Sequence, residues 1–204
     1  MKTSRREFIK QSAKWSLSLG VLSFVYFVPK GWTAKKSNIT KALYYKKLSS
    51  SNVKCLQCPR QCVLIPKKRG FCRVRENMNG ELYSLVYENP CAVHIDHIEK
   101  KPLFHVLPTS KSFSISTAGC NLRCKFCQNW QISQRPPEDT TNYNYNSQDI
   151  VILSKKYKCA SIAYTYTEPT IFYEYMLEIA ELAKENSILD LLRNNSNRYK
   201  KAYR

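Results

Sequence analysis

The chain has 204 residues, 43% hydrophobic and 12% aromatic, which is enough apolar content to pack a core in one or two domains. Its formal charge of +18 comes from 33 Lys and Arg against 15 Asp and Glu, but eight basic residues lie in the first 36 positions and five more in the last twelve. No basic stripe interleaved with aromatics lies between those ends, so the charge reads as solvated surface and a targeting segment, and no nucleic-acid partner is expected. Cysteine is present nine times, an odd number, and seven of the nine fall in two tight groups. That is the grouping of metal ligands and not of a disulfide lattice. Cys91 and Cys159 stand apart and read as small core residues.

In chain order, residues 1–34 resemble a twin-arginine export leader. Arg5-Arg6 is followed by Phe8-Ile9-Lys10, an apolar run from Trp15 to Val28, then Pro29. The apolar run is short for a membrane span. Trp32 makes a poor cleavage site, so retention as a tether is one outcome, and an amphipathic or anchoring helix is the alternative reading. The expected location is therefore export or membrane association, with the cytoplasm as the alternative. Residues 35–53 are polar and basic and read as a linker.

A Cys-rich module is expected over 54–110. Cys55, Cys58, Cys62 and Cys72 have the spacing of a zinc site or a second iron–sulfur cluster, and a metal-free structural knuckle is the bland alternative. Asn79-Gly80 is a hairpin-turn signal, and residues 82–88 alternate as a strand does. His94, His97 and His105 lack ligand spacing and read as structural.

From residue 111 the pattern is strand, helix, strand, helix, which predicts a parallel sheet with helices packed on it over 111–186. Residues 112–118 read as a buried strand. A helix follows with Ser147 as its N-cap and Asp149 in its first turn. Residues 160–166 are β-prone. After Pro169, the apolar residues Phe172, Tyr175, Met176, Ile179, Leu182 and Ala183 fall at helical spacing. Residues 187–204 read as a divergent basic tail without strand alternation.

The most informative segment is Cys120-Asn-Leu-Arg-Cys124-Lys-Phe126-Cys127, directly after the first strand of that core. Three thiolates and no fourth leave one corner of a four-iron cluster open to chelate a substrate or cofactor. Iron–sulfur potentials reach about −700 mV at the low end, sufficient for difficult reductions.

The motif resembles that of radical S-adenosylmethionine enzymes. With residues 98–105, 116–130 and 163–176 it is similar to the AmmeMemoRadiSam-system radical SAM enzyme, a relative of pyruvate formate-lyase activating enzyme, over about residues 54–186. The resemblance implies the N-terminal part of a partial (βα)6 barrel, and hence an α/β fold preceded by the Cys-rich module and the signal-like segment. It implies a [4Fe–4S] cluster held by Cys120, Cys124 and Cys127, with S-adenosylmethionine on the open iron. It further implies that Asn129 and Glu168 support the cofactor, Glu168 as acceptor for its ammonium, and that Phe126 packs against the site. The implied partners are S-adenosylmethionine, a low-potential electron donor and a substrate the sequence does not identify. The implied reaction is reductive cleavage to a 5′-deoxyadenosyl radical that abstracts hydrogen, in the manner of an activase. The chain departs from the family at His97, at Thr109, where relatives carry Gly, and after Asn186, where relatives continue through further strands; a truncated or frame-shifted copy is the expectation. Competing readings are an electron-transfer iron–sulfur protein and a zinc or nucleic-acid-binding module.

Overall fold

The computed structural model describes residues 38–192. The expected leader at 1–34 and residues 193–204 of the expected tail lie outside the described residues. Among the described residues no helix is long and apolar enough to cross a membrane.

The N-terminal part is built from short antiparallel strands. β5 (Arg75–Met78) and β6 (Glu81–Tyr87) form a hairpin, with Met78 opposite Glu81. Asn79 and Gly80 both take positive φ, 55° and 90°, the backbone that a two-residue turn matched to strand twist demands. β1 (Asn38–Lys41) adds to the other edge of β6, giving the order β1-β6-β5. β2 (Tyr45–Lys47), β3 (Val53–Cys55) and β4 (Val63–Leu64) make a second small sheet. Ala42, Val53, Cys55, Leu64 and Leu82 pack between the two.

Strands β1 and β2 lie within the segment whose composition predicts a linker. The physical reason is their position at sheet edges, where charged side chains stay in water. Lys41 and Lys47 reach the same carboxylate, Glu81, at 2.8 and 3.1 Å.

The larger sheet has the order β10-β9-β8-β7. β7 (Ala92–His97) runs antiparallel to β8 (Lys111–Ser116), whereas β8, β9 (Ser161–Tyr164) and β10 (Leu189–Leu192) are mutually parallel. Alternation divides β8 into two faces. Phe113 and Ile115 join the apolar core, while Ser112, Ser114 and Ser116 occupy the alternate positions, also buried. Helix α1 (Trp130–Ser133) is a single turn after the thiol loop. Helices α2 (Ser147–Lys156) and α3 (Tyr173–Glu185) bury Ile150, Val151, Tyr175, Ile179 and Ala183 in the core.

The predicted parallel strand–helix order is thus present, with local differences. The N-cap of α2 is Asn146 rather than Ser147. Asn146 Oδ1 accepts from the Asp149 amide at 2.8 Å, and Asp149 Oδ2 accepts from the Asn146 amide at 3.0 Å, a reciprocal capping box. Residues 189–192 are strand, not tail. Their register beside β9, and a hydrogen bond from the Tyr164 hydroxyl to Asp190 Oδ1 at 2.8 Å, replace the alternation a half-buried strand needs. The boundary expected at residue 110 does not divide the packing, because β7 belongs to the larger sheet and Val74 and Val86 belong to its core. Arg75 on β5 makes a bidentate, buried ion pair with Glu174 on α3 at 2.9 and 2.6 Å, which ties the smaller sheets to the helical layer.

Candidate metal and cofactor site

β8 delivers its C-terminal end to a loop that carries all three thiols of the motif. Thr117 and Ala118 are buried, and Gly119 turns the chain with φ +82°. A side chain at Gly119 would place its Cβ 2.3 Å from the Cys72 carbonyl oxygen and 2.6 Å from Val74 Cγ1. Only glycine fits there, on both conformational and steric grounds. The Gly119 amide donates to Ile132 O at 2.9 Å, so helix α1 closes back on the start of the loop.

Cys120 is buried, Cys127 half-buried and Cys124 exposed. The Leu122 amide donates to Cys120 Sγ at 3.4 Å, and the Glu168 amide donates to the same sulfur. Burial pushes the Cys120 thiol up, and those two amides oppose the shift. Cys127 Sγ lies 3.3 Å from Ser133 Oγ on α1.

Glu168 follows β9 and caps a 3-10 turn, Pro169–Phe172, that leads into α3. It is 3% exposed, and its Oε1 accepts from Thr170 Oγ1 at 3.3 Å. The turn is fastened to β8 by Thr167, whose hydroxyl is 2.7 Å from Ser116 Oγ and donates to Thr117 O at 3.1 Å. Asn129, at the start of α1, donates through Nδ2 to Tyr166 O at 3.1 Å. Tyr166 itself holds φ +65°, a left-handed conformation that costs an aromatic residue energy and is often found at functional sites.

Cys120, Cys124, Cys127, Asn129 and Glu168 all line one cavity of about 290 Å³. These are the five residues that the sequence assigns to one site. It placed Phe126 against the site, whereas Phe126 is 93% exposed and faces solvent. The three histidines are exposed, and none lines this cavity.

Sequence reasoning missed the far wall. Asp96 at the end of β7 accepts from Lys100 Nζ at 2.8 Å, Lys101 Nζ at 2.5 Å, Ser114 Oγ at 2.8 Å and the Tyr166 hydroxyl at 2.5 Å. Burial pushes the Asp96 carboxyl up, but these donors outweigh it and hold it well below the usual carboxylate range. Burial likewise pushes the Tyr166 phenol up, with the Asp96 hydrogen bond acting in the same direction. Lys100, Lys101 and Tyr166 line the thiol cavity. The Asp-x-x-x-Lys-Lys spacing was the one signal available for this cluster.

The donor chemistry fits a cluster with an open corner. Three soft sulfurs line one cavity, and no fourth cysteine is among its lining residues. The sulfurs are not already gathered: among the described residues no three His, Cys, Asp or Glu side chains form a preformed metal site.

Cys55, Cys58, Cys62 and Cys72 surround a separate cavity of about 20 Å³. Burial pushes Cys55 up, and pushes Cys72 up to about 11.

Two curated relatives, both uncharacterized proteins of Methanocaldococcus jannaschii, are similar to this chain. One, MJ0808, is 44% identical over 155 residues, covering 76% of this chain and 46% of the relative. The other, MJ0674, is 29% identical over 122 residues, covering 57% of this chain and 31% of the relative. The chain therefore spans less than half the length of either. No solved structure matches it. Residues 114–200, which begin within β8 and include the thiol loop, Asn129 and Glu168, match the family model of the Radical SAM superfamily, and the chain carries a domain of that superfamily, whose members use a [4Fe–4S] cluster and S-adenosylmethionine.

Proposed function

We propose that the protein is a radical SAM enzyme of the activase-like branch, with Cys120, Cys124 and Cys127 as cluster ligands and Asn129 and Glu168 as supports for S-adenosylmethionine. The reading rests on one observation above all: these five residues, drawn from two loops 39 positions apart at their nearest, Asn129 and Glu168, line a single cavity.

When bound, the cluster and S-adenosylmethionine supply a one-electron reductive cleavage that yields a 5′-deoxyadenosyl radical for hydrogen abstraction. The chain's own residues hold and shield. The Leu122 and Glu168 amides orient the Cys120 sulfur, as hydrogen-bonded neighbours orient metal ligands elsewhere. Ser133 offers the same support to Cys127. The Glu168 carboxylate is positioned to accept from an ammonium, with Thr170 fixing one of its oxygens. Asn129, tied to the Tyr166 carbonyl, fixes the distance between α1 and the end of β9 across the cavity. Lys100 and Lys101, both paired with Asp96, leave that wall of the cavity with a net positive charge.

The parallel strands β8, β9 and β10 support a partial (βα)6 barrel, of which they form consecutive members. A low-potential electron donor and a separate substrate are the implied partners. The twin-arginine-like segment at 1–34 supports export or membrane association, and cell fractionation of the untagged protein tests it: recovery wholly in the soluble cytoplasm overturns that location.

Anaerobic reconstitution with iron and sulfide tests the chemistry. The expected result is a brown protein whose electron paramagnetic resonance spectrum shifts on addition of S-adenosylmethionine, and which forms 5′-deoxyadenosine and methionine with dithionite. Cys127→Ser is expected to abolish both. A cluster indifferent to S-adenosylmethionine would identify an electron carrier instead.

A further inference from the structure

The second cysteine group plays no part in the chemistry just described. Its four cysteines sit on or beside short antiparallel strands and line one small cavity, though, like those of the thiol loop, they are not already gathered into a preformed metal site. Cys55 ends β3, and its amide donates to Cys62 O at 2.9 Å, so the intervening residues form a closed loop. Within that loop the Gln61 amide donates to Cys58 O at 3.1 Å, and Gln61 takes φ +44°. Cys72 arrives from the other side on a turn in which Arg73 takes φ +68° and donates its amide to Gly70 O at 2.8 Å. The position a Gly70 side chain would fill is 3.8 Å from Cys72 Sγ and 3.9 Å from Cys62 Sγ, so both sulfurs cover the same small patch of backbone.

Arg75 supplies an independent observation. Its side chain is 2% exposed and lines the small cavity; its two terminal nitrogens bind Glu174, but its Nε has no hydrogen-bond partner among the described residues. A buried N–H donor without an acceptor is costly, and a neutral thiol is a poor acceptor. Positive charge also collects around the cavity, which Arg60 and Phe71 help to line. The Arg60 and Arg123 guanidiniums lie 3.4 and 4.2 Å from the centre of the Phe71 ring, and Arg123 is close enough to Arg60 and Arg73 to be repelled by both. A negative centre beneath Phe71 offsets that repulsion.

We infer that Cys55, Cys58, Cys62 and Cys72 bind a single zinc-type divalent ion as a closed tetrathiolate site, with Arg75 Nε–H donating to a ligand sulfur. Binding releases the four thiol protons and leaves a dianionic centre that the surrounding arginines balance. The cavity favours one ion over a cluster. About 20 Å³ is close to the space of one water-sized probe, so an ion needs the sulfurs drawn in to about 2.3 Å, whereas several irons and sulfides need the surrounding turns to open. The site is closed and structural, without an open position for substrate.

The test uses the full chain carrying Cys120→Ser, Cys124→Ser and Cys127→Ser, which removes the thiol loop's ligands and separates this proposal from the one above. Elemental analysis after purification is expected to give about one zinc per chain without acid-labile sulfide. Exchange with cobalt is expected to produce the thiolate charge-transfer and ligand-field bands of a tetrahedral sulfur site. Adding Cys58→Ser and Cys62→Ser is expected to lower bound zinc at least tenfold. Iron with labile sulfide in the background variant overturns the proposal in favour of a second cluster. Absence of metal, with all four thiols alkylated in the native protein, overturns it in favour of free cysteines. If the five-site variant does not fold, the zinc content and cobalt spectrum of the background variant decide alone.

Discussion

The two cysteine groups are made of the same atoms and arranged for opposite ends. The first is strapped between short strands around a cavity of about 20 Å³, with Cys55 and Cys72 buried. The second hangs on an open loop beside a cavity of about 290 Å³, with Cys124 exposed. Four ligands around a small hole make a closed site, whereas three ligands beside a large one leave a position for chemistry. The difference is set by the backbone around the sulfurs more than by their spacing. Antiparallel strands pin the first group from both sides, and the end of a parallel strand launches the second into space that other strand ends share.

The strongest way to break this contrast is Gly119→Ala, because Gly119 joins the two groups. Its new Cβ meets the Cys72 carbonyl and Val74 while φ remains positive, for a combined cost of roughly 3 kcal/mol or more. The expected outcome is loss of soluble protein, or metal loss from both groups together, read by yield and elemental analysis. Retention of both metals with unchanged urea stability would show that the groups are mechanically separate.

Next in size is Glu174→Ala. It strands the buried Arg75 guanidinium, and removal of one partner from a buried pair costs about 3–5 kcal/mol. Urea denaturation is expected to show that loss, and zinc-type metal at the first group is expected to leave before iron leaves the second.

Acid has a smaller effect, and Asp96 carries the part of it that falls on the open site. Donors around Asp96 hold its carboxyl below the unfolded value, so the stability it contributes is full above about pH 4 and is lost as the pH falls through the folded value. A decline of about 1 kcal/mol below pH 4 that Asp96→Asn abolishes is expected in thermal melts. A decline identical in both proteins would assign it to other carboxylates.

Thr109→Gly serves as the control. Thr109 takes φ +65° in the segment that leads into β8, at the opposite end of that strand from the thiol loop. The substitution is expected to stabilise the chain by about 1 kcal/mol and leave both metal contents unchanged.

How much of this could be read in the sequence depended on whether the signal was local. The hairpin at Asn79-Gly80 and the amphipathic helix after Pro169 are local patterns, and both are present. The thiol loop was legible because three soft ligands at close spacing have few other uses, and Asn129 and Glu168 followed from the resemblance. The edge strands β1 and β2 were not legible. Their lysines are there because an edge strand faces water, which gives them a linker's composition. Strand β10 was hidden for a related reason: its place is set by pairing with β9, a contact between residues far apart in the chain. Phe126 shows the limit of reasoning from a motif, since an aromatic residue between two ligands was read as packing and in the structure faces solvent. The wall of Asp96, Lys100, Lys101 and Tyr166 required knowledge of which strand ends meet.

The contact of Gly119 with the Cys72 carbonyl also bears on the order in which the protein is made. A chain leaves the ribosome N-terminus first, so residues 38–87 can pair their strands before the thiol loop has been synthesised. The loop then closes on a surface that already exists. Cys72 and Val74 serve as the seat on which the later segment is moulded, so damage to the early module is inherited by the late one, and the reverse route has no such contact to carry it until synthesis has passed residue 119.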